Sequence, residues 1–157
     1  MEAEYWDSID TIVGTVAFCV DERGRVTALR FSAPDSEALL SPRRCEAVRR
    51  QLEEYFAGER TAFELELAPA GTAFQQSVWQ GLTEIPFGTA FSYGELAKHI
   101  GKPGAARAVG QANGRNPIPV IIPCHRVIAA DRSIGGFASG LAIKRRLLAL
   151  ERIELAA

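Results

Sequence analysis

Cysteine is scarce in this chain. Cys19, Cys45 and Cys124 are an odd and sparse set among 157 residues, which excludes a disulfide framework and points to a reducing, intracellular home. Long hydrophobic runs are missing too: none approaches the roughly 18–20 residues that a membrane span needs. The acidic start, Met1-Glu2-Ala3-Glu4, lacks the basic and then apolar order of a secretory leader. No internal repeat and no low-complexity segment is present, so a repeat array or a disordered tract is excluded. What remains, 47% hydrophobic and 24% charged, is the make-up of an ordinary globular protein. Such a length holds one domain or two small ones with a core that needs no staples. A cytoplasmic monomer is expected, with no membrane contact and no obligate protein partner.

The net charge of −1 conceals an asymmetry. Residues 1–71 carry 8 basic against 14 acidic side chains, a balance of −6, whereas residues 72–157 carry 10 against 5, a balance of +5. Two domains with these limits are expected, the second of them facing an anion such as nucleic acid.

In the first domain, Thr11 to Val20, a polar turn at Asp21-Glu22-Arg23-Gly24 and Arg25 to Phe31 predict a hairpin. Ser41-Pro42 opens a helix carrying Val48, Leu52 and Phe56, closed by Gly58. Phe63 to Leu67 alternates like a half-buried strand. The expectation is a small α/β (α+β) scaffold with an antiparallel sheet, in which Cys19 and Cys45 are packing residues. Ala68-Pro69-Ala70-Gly71 is the expected linker.

The second domain reads as mostly helical and winged-helix-like. Thr72 and Gln75 match a capping box, followed by a stripe of Phe74, Val78, Leu82 and Ile85. Ser92 with Glu95 forms a second box, opening a short helix that Gly101 stops. After Lys102-Pro103-Gly104, Ala105 to about Gly114 forms another helix, and the pair is a helix-turn-helix candidate. That last helix is almost bare: Ala106, Gly110 and their small neighbours surround Arg107 and Arg115. An ordinary helix is about 10–12 Å across with its side chains, too wide for a minor groove of about 6 Å. Stripped to Ala and Gly it approaches DNA closely. Small residues also permit tight packing in a core, but the two arginines favour the DNA reading.

Val120-Ile121-Ile122-Pro123-Cys124-His125-Arg126-Val127-Ile128 holds the chemistry. The apolar flanks predict a buried strand, yet a strand core has no use for three adjacent reactive or charged groups. A free thiol with pKa near 8.5 is only a few per cent ionised at neutral pH, so Cys124 needs a base such as His125, with Arg126 adding positive charge. Neighbours on a strand point to opposite faces, so contact requires a bend, which Pro123 favours, or a bridging water. A buried cysteine beside a satisfied histidine is the alternative. In the last helix, roughly Leu141 to Leu155, Glu151 falls on the stripe of Leu147, Leu148 and Leu155, with Lys144 near the same sector. A carboxylate there needs a buried partner, and Cys124, His125 and Glu151 form a Cys–His–carboxylate constellation.

In these residues the chain resembles the O6-alkylguanine-DNA alkyltransferases. The likeness lies in Pro123-Cys124-His125-Arg126-Val127-Ile128, preceded by Asn116-Pro117, and runs back through Ala105 to Gly110, Ser92-Tyr93, Pro86-Phe87-Gly88 and Val78-Trp79. It covers most of residues 72–157, whereas the first half matches only in size and layout. It implies that Cys124 accepts an alkyl group, activated through a water by His125, which Glu151 orients. Asn116 would support the active-site turn, and Arg107 would take the place of a nucleotide flipped from duplex DNA. Tyr93 would crowd the adjacent phosphate and donate to the guanine leaving group. Ala106, Gly110 and Arg115 would contact DNA. Val127, Phe137, Ala138 and Ser139 would surround the base. Phe137 stands where many members have tyrosine and Ser139 where many have glycine. No cofactor is implied, and a zinc site known in some members is not expected, because residues 1–71 contain no histidine.

Two other classes fit parts of the pattern. A non-catalytic lesion sensor would bind DNA and leave the lesion intact, but the branch of sensors lacks the cysteine. A cysteine hydrolase or redox enzyme would turn over small substrates, yet there is no Cys-x-x-Cys and no nucleophile elbow.

Overall fold

The computed structural model describes residues 3–34 and 37–156. The chain divides into two compact units, 1–70 and 71–157. The first contains β1 (Tyr5–Thr11), β2 (Gly14–Val20), β3 (Val26–Arg30), β4 (Leu39–Leu40) and α1 (Glu46–Phe56). Its sheet runs β3-β2-β1-β4. The β1–β2 and β2–β3 pairs are antiparallel, while β4 lies parallel to β1, so the sheet is mixed at one edge. Strand β2 is the core, with Val16 to Val20 all buried. The turn after it is held by Asp21, whose carboxylate accepts from the Arg23 and Arg25 amides at 2.9 and 3.0 Å.

The sequence pattern misses β1 because its inward face is not apolar throughout. Asp7 is buried on it and pairs with Arg49 of α1 at 2.9 Å. Helix α1 begins at Glu46 rather than at Ser41-Pro42, since residues 42–45 form a turn with Cys45 N donating to Ser41 O. Its buried face is Val48, Leu52 and Tyr55; Phe56 is only half-buried. Residues 63–67 do not form the expected strand. Only Leu67 bridges to Val26, and the Gln51 side chain instead satisfies both backbone groups of Glu64, at 2.8 and 3.2 Å.

The second unit holds α2 (Ala73–Thr83), β5 (Phe91–Ser92), α3 (Tyr93–His99), α4 (Ala106–Gly114), β6 (Val127–Ile128) and α5 (Leu141–Leu150). Both capping boxes form: Thr72 with Gln75 opens α2, and Ser92 with Glu95 opens α3. Gly101, at φ +77°, ends that second helix and leads to α4 across a tight turn, completing a helix-turn-helix. The Trp79 indole on α2 donates to Ala112 O at 2.9 Å and ties α2 to α4. Strands β5 and β6 pair in parallel. Among the described residues no helix is long and apolar enough to cross a membrane.

Candidate active site

Residues 119–121 are a turn rather than the expected strand, and only Val127-Ile128 extends as β6. The apolar run was legible as burial, since Val120, Ile121 and Ile122 are all buried, but not as strand. Val120 sits at φ +74°, a left-handed conformation that β-branched residues rarely adopt. Asn116 holds the bend: its Nδ2 donates to Ile122 O at 2.7 Å, and its Oδ1 accepts from Ile118 N at 2.9 Å. Pro123 then leads into a single 3₁₀ turn, Cys124–Arg126.

The turn distributes its three side chains. Cys124 is 4% exposed and lies on the wall of a cavity of about 360 Å³, together with Tyr93, Asn113, Asn116 and the segment 136–139. Burial pushes its thiol up to about 11, opposed by the Asn116 amide and the Lys144 cation. His125 is fully buried, and its Nε2 lies 2.6 Å from Glu151 Oε2. Glu151 is not inside the last helix as expected; it caps the C-terminus of α5, and Arg152 after it turns to φ +58°.

Arg126 was expected to lend positive charge to Cys124. Its guanidinium instead grips the carboxylate, Nε to Oε1 at 2.7 Å and Nη2 to Oε2 at 3.0 Å, and also donates to Ile85 O at 2.7 Å. Burial alone would raise the Glu151 carboxyl, but its bonds to His125 and Arg126 carry it down to about 2. It is therefore an anion at neutral pH and can only accept. His125 Nε2 must then carry the proton, which leaves Nδ1 as the lone-pair end of a neutral ring. Burial holds the His125 pKa below its ordinary value despite the opposing pull of Glu151. Nδ1 is buried and has no protein hydrogen-bond partner.

The other expected residues divide into those that meet at the cavity and those that do not. Phe137, Ala138 and Ser139 line it, whereas Val127 is fully buried and does not. The Tyr93 hydroxyl accepts from Gly136 N at 3.4 Å, and Gly110 lies against its ring, where a Cβ would sit 3.5 Å away. Arg107 is exposed on α4 and Arg115 is exposed just after its C-terminus, and Ala106 is half-buried. Two residues were missed as site members. Lys144 is buried and donates from Nζ to Val127 O at 2.7 Å and Gly136 O at 2.8 Å; burial lowers it to about 8. Asn113 is 6% exposed on the inner face of α4. The place of Lys144 near the apolar sector of α5, and that of Asn113 four residues after Val109, were the available signals. Among the described residues no group of three or more His, Cys, Asp or Glu is placed to hold a metal.

Comparisons with known proteins cover both units of the chain. Residues 73–153 match the DNA binding domain of 6-O-methylguanine DNA methyltransferase, and residues 5–69 match its ribonuclease-like domain. A methylated-DNA–protein-cysteine methyltransferase from Methanosarcina barkeri is 46% identical over 157 residues, covering 96% of this chain and 99% of the relative. One from Methanosarcina acetivorans is 62% identical over 102 residues, 65% of either chain. Among solved structures, Mycobacterium tuberculosis OGT in complex with DNA superposes with a TM-score of 0.87 at 44% identity, covering 94% of this chain and 93% of that one. Matched along both units, the chain belongs to the methylated-DNA–protein-cysteine methyltransferase family.

Proposed function

We propose that this protein repairs O6-alkylguanine, chiefly O6-methylguanine, in duplex DNA by moving the alkyl group irreversibly to its own Cys124, once per molecule. The observation that carries the reading is the buried Glu151–His125 pair at 2.6 Å, next in sequence to a thiol on the wall of a base-sized cavity. A thiol only 4% exposed is out of reach of a base inside a stack. The lesion must therefore leave the duplex, at a cost of a few kcal/mol. In this reading Arg107, exposed on α4 among small residues, fills the gap, and Ala106, Gly110 and Arg115 contact the DNA backbone. Residues 72–157 are the DNA-binding and alkyl-acceptor domain in this reading, and residues 1–71 a scaffold. The cytoplasm is the proposed location, and the protein acts without a cofactor.

The chemistry is an SN2 displacement. The thiol proton passes through a water to His125 Nδ1, the imidazolium being stabilised by Glu151. The sulfur then forms a bond to the alkyl carbon as the carbon–O6 bond breaks, and the electron pair stays on guanine. Tyr93 donates a hydrogen bond to that leaving group, which takes up a proton from solvent to become neutral guanine, while His125 gives the thiol proton back to solvent, so the proton count closes. Asn116 holds the turn throughout. The product is a thioether, which water does not cleave without further activation, so Cys124 is consumed.

A titration tests this. With a methylated duplex in excess, lesion loss should stop at one per protein, and the alkylated protein should remove no more. Continued loss beyond one equivalent would contradict the single-use reading. Binding without any loss would make the protein a sensor.

A further inference from the structure

Among the described residues, three that are not glycine hold a left-handed backbone: Val120 at φ +74°, Arg132 at φ +67° and Arg152 at φ +58°. An L side chain makes that conformation costly where glycine takes it freely, so it persists only where the surroundings enforce it. Val120 shapes the bend before Cys124. The other two stand at the two ends of a single contact.

Arg152 follows Glu151 directly and turns the chain back at the end of α5. Its amide donates to Ala149 O at 3.0 Å, and the Ile153 amide donates to Leu148 O at 2.9 Å. Residues 153–156 then meet the turn 129–133, which leaves β6 and leads through Ile134 to the cavity wall at 136–139. Arg132 makes the join twice. Its carbonyl accepts from Ala156 N at 2.9 Å, and its Nη2 donates to Glu154 O at 2.7 Å. Beneath the join Ile128, Leu148 and Ile153 are buried together, with Ile134 and Leu155 packed against them.

The join bears on the site because of where Glu151 sits. Helix α5 holds its main chain from one side, Glu151 N donating to Leu147 O at 3.1 Å, and the helix goes no further. On the other side the chain is held by what residues 152–156 touch. Yet the carboxylate must meet His125 at 2.6 Å and Arg126 at 2.7 Å, and small misplacements of such groups slow a reaction steeply. Resting on the reading of Cys124 as alkyl acceptor, we infer that Arg132 is a positioning residue for the transfer step. Its clasp keeps the Glu151–His125 pair and the cavity wall in one frame. An exposed arginine in a DNA-binding domain has a simpler use as a phosphate contact. That use needs no left-handed backbone, whereas the bond to Glu154 O does need the guanidinium at this place.

Single-turnover methyl transfer from an O6-methylguanine duplex, followed over a range of duplex concentrations, tests the inference in wild type, Arg132→Gly and Arg132→Lys. Glycine keeps the left-handed turn and the carbonyl, so it removes the guanidinium without threatening the fold. The saturating rate of Arg132→Gly should fall by about fivefold, the scale of one lost hydrogen bond. Its half-saturating concentration and its affinity for an unmodified duplex should match those of wild type. Lysine keeps a donor at similar reach and should restore most of the rate. A saturating rate unchanged in Arg132→Gly overturns the inference and leaves the alkyl-transfer reading standing. So does a loss of affinity for both duplexes with a shallower salt dependence, which would make Arg132 a phosphate contact. A rate that lysine fails to restore also counts against the clasp. Absence of transfer by wild type overturns both readings.

Discussion

Cys45 and Cys124 pose the same problem in two regions of the molecule. Both thiols are buried, and burial raises both, Cys45 to about 12 and Cys124 to about 11. Their surroundings differ. Around Cys45 the charged neighbour is Asp7, and with Cys19 it raises the thiol further. Around Cys124 the Asn116 amide, the Lys144 cation and backbone amides all lower it. Cys124 also lies on a cavity wall, next in sequence to a histidine whose lone pair is free. Burial alone keeps a thiol protonated and inert. Reactivity comes from a neighbourhood that stabilises the anion at the moment a substrate arrives and a base that takes its proton.

The comparison is broken most severely at Glu151. Glu151→Leu strands the Arg126 guanidinium in the interior and frees the His125 tautomer. Folding stability should fall by about 3–5 kcal/mol, as for other buried pairs that lose one partner. Methyl transfer should slow by about a hundredfold or more, the usual worth of a general base. Denaturant melts and rapid-quench transfer assays read the two effects. If the rate were unchanged, His125 would not be the base.

Acid sharpens the same point. The Glu151 carboxyl titrates near 2 in the folded protein against 4.5 ordinarily. The unfolded chain therefore takes up a proton that the folded chain refuses. The stability this carboxylate contributes is complete above pH 4.5 and is lost as pH falls toward 2. Melts of Glu151→Gln between those limits should show a shallower acid limb than wild type; parallel limbs would mean that the carboxylate is not held this way.

Lys144→Met should have a smaller effect. It leaves the carbonyls of Val127 and Gly136 without their shared donor, at about 1–3 kcal/mol for an unmet buried acceptor. It also removes a cation that lowers the Cys124 thiol, so transfer should slow while Cys45 is unaffected. Smallest of all should be the reactivity of wild type toward iodoacetamide between pH 7 and 9. A free thiol near 8.5 is mostly ionised by pH 9 and its rate levels off, whereas Cys124 and Cys45 should both stay slow, with rates still climbing about tenfold per pH unit. A rate at Cys124 that matches a free thiol and levels off by pH 9 would show that its thiol is not suppressed.

Local chemistry made parts of this molecule legible. The capping boxes at Thr72 and Ser92 each need only two residues three apart, and both form. Glu151 stood out because a carboxylate on an apolar stripe demands a partner, although it caps α5 rather than extending it. What the sequence hid depends on contacts distant along the chain. Asp7 disguised β1 because its partner, Arg49, lies 42 residues away. Phe63 to Leu67 alternates as a strand should, but Gln51 claims its backbone. Val120 to Ile122 reads as strand by composition, and the Asn116 side chain folds it into a turn instead. Asn113 and Lys144 join the site through backbone carbonyls, and only their places on the buried faces of α4 and α5 hinted at it.

The central claim is that one buried thiol, and not the other, is the alkyl acceptor. Incubation with a duplex carrying O6-methylguanine labelled in its methyl group, followed by peptide mapping, tests it most directly. The account predicts a single labelled methyl on the peptide containing Cys124 and none on the peptides containing Cys19 or Cys45. Label on Cys45, or a Cys124 peptide left unmodified while the lesion disappears, would contradict it.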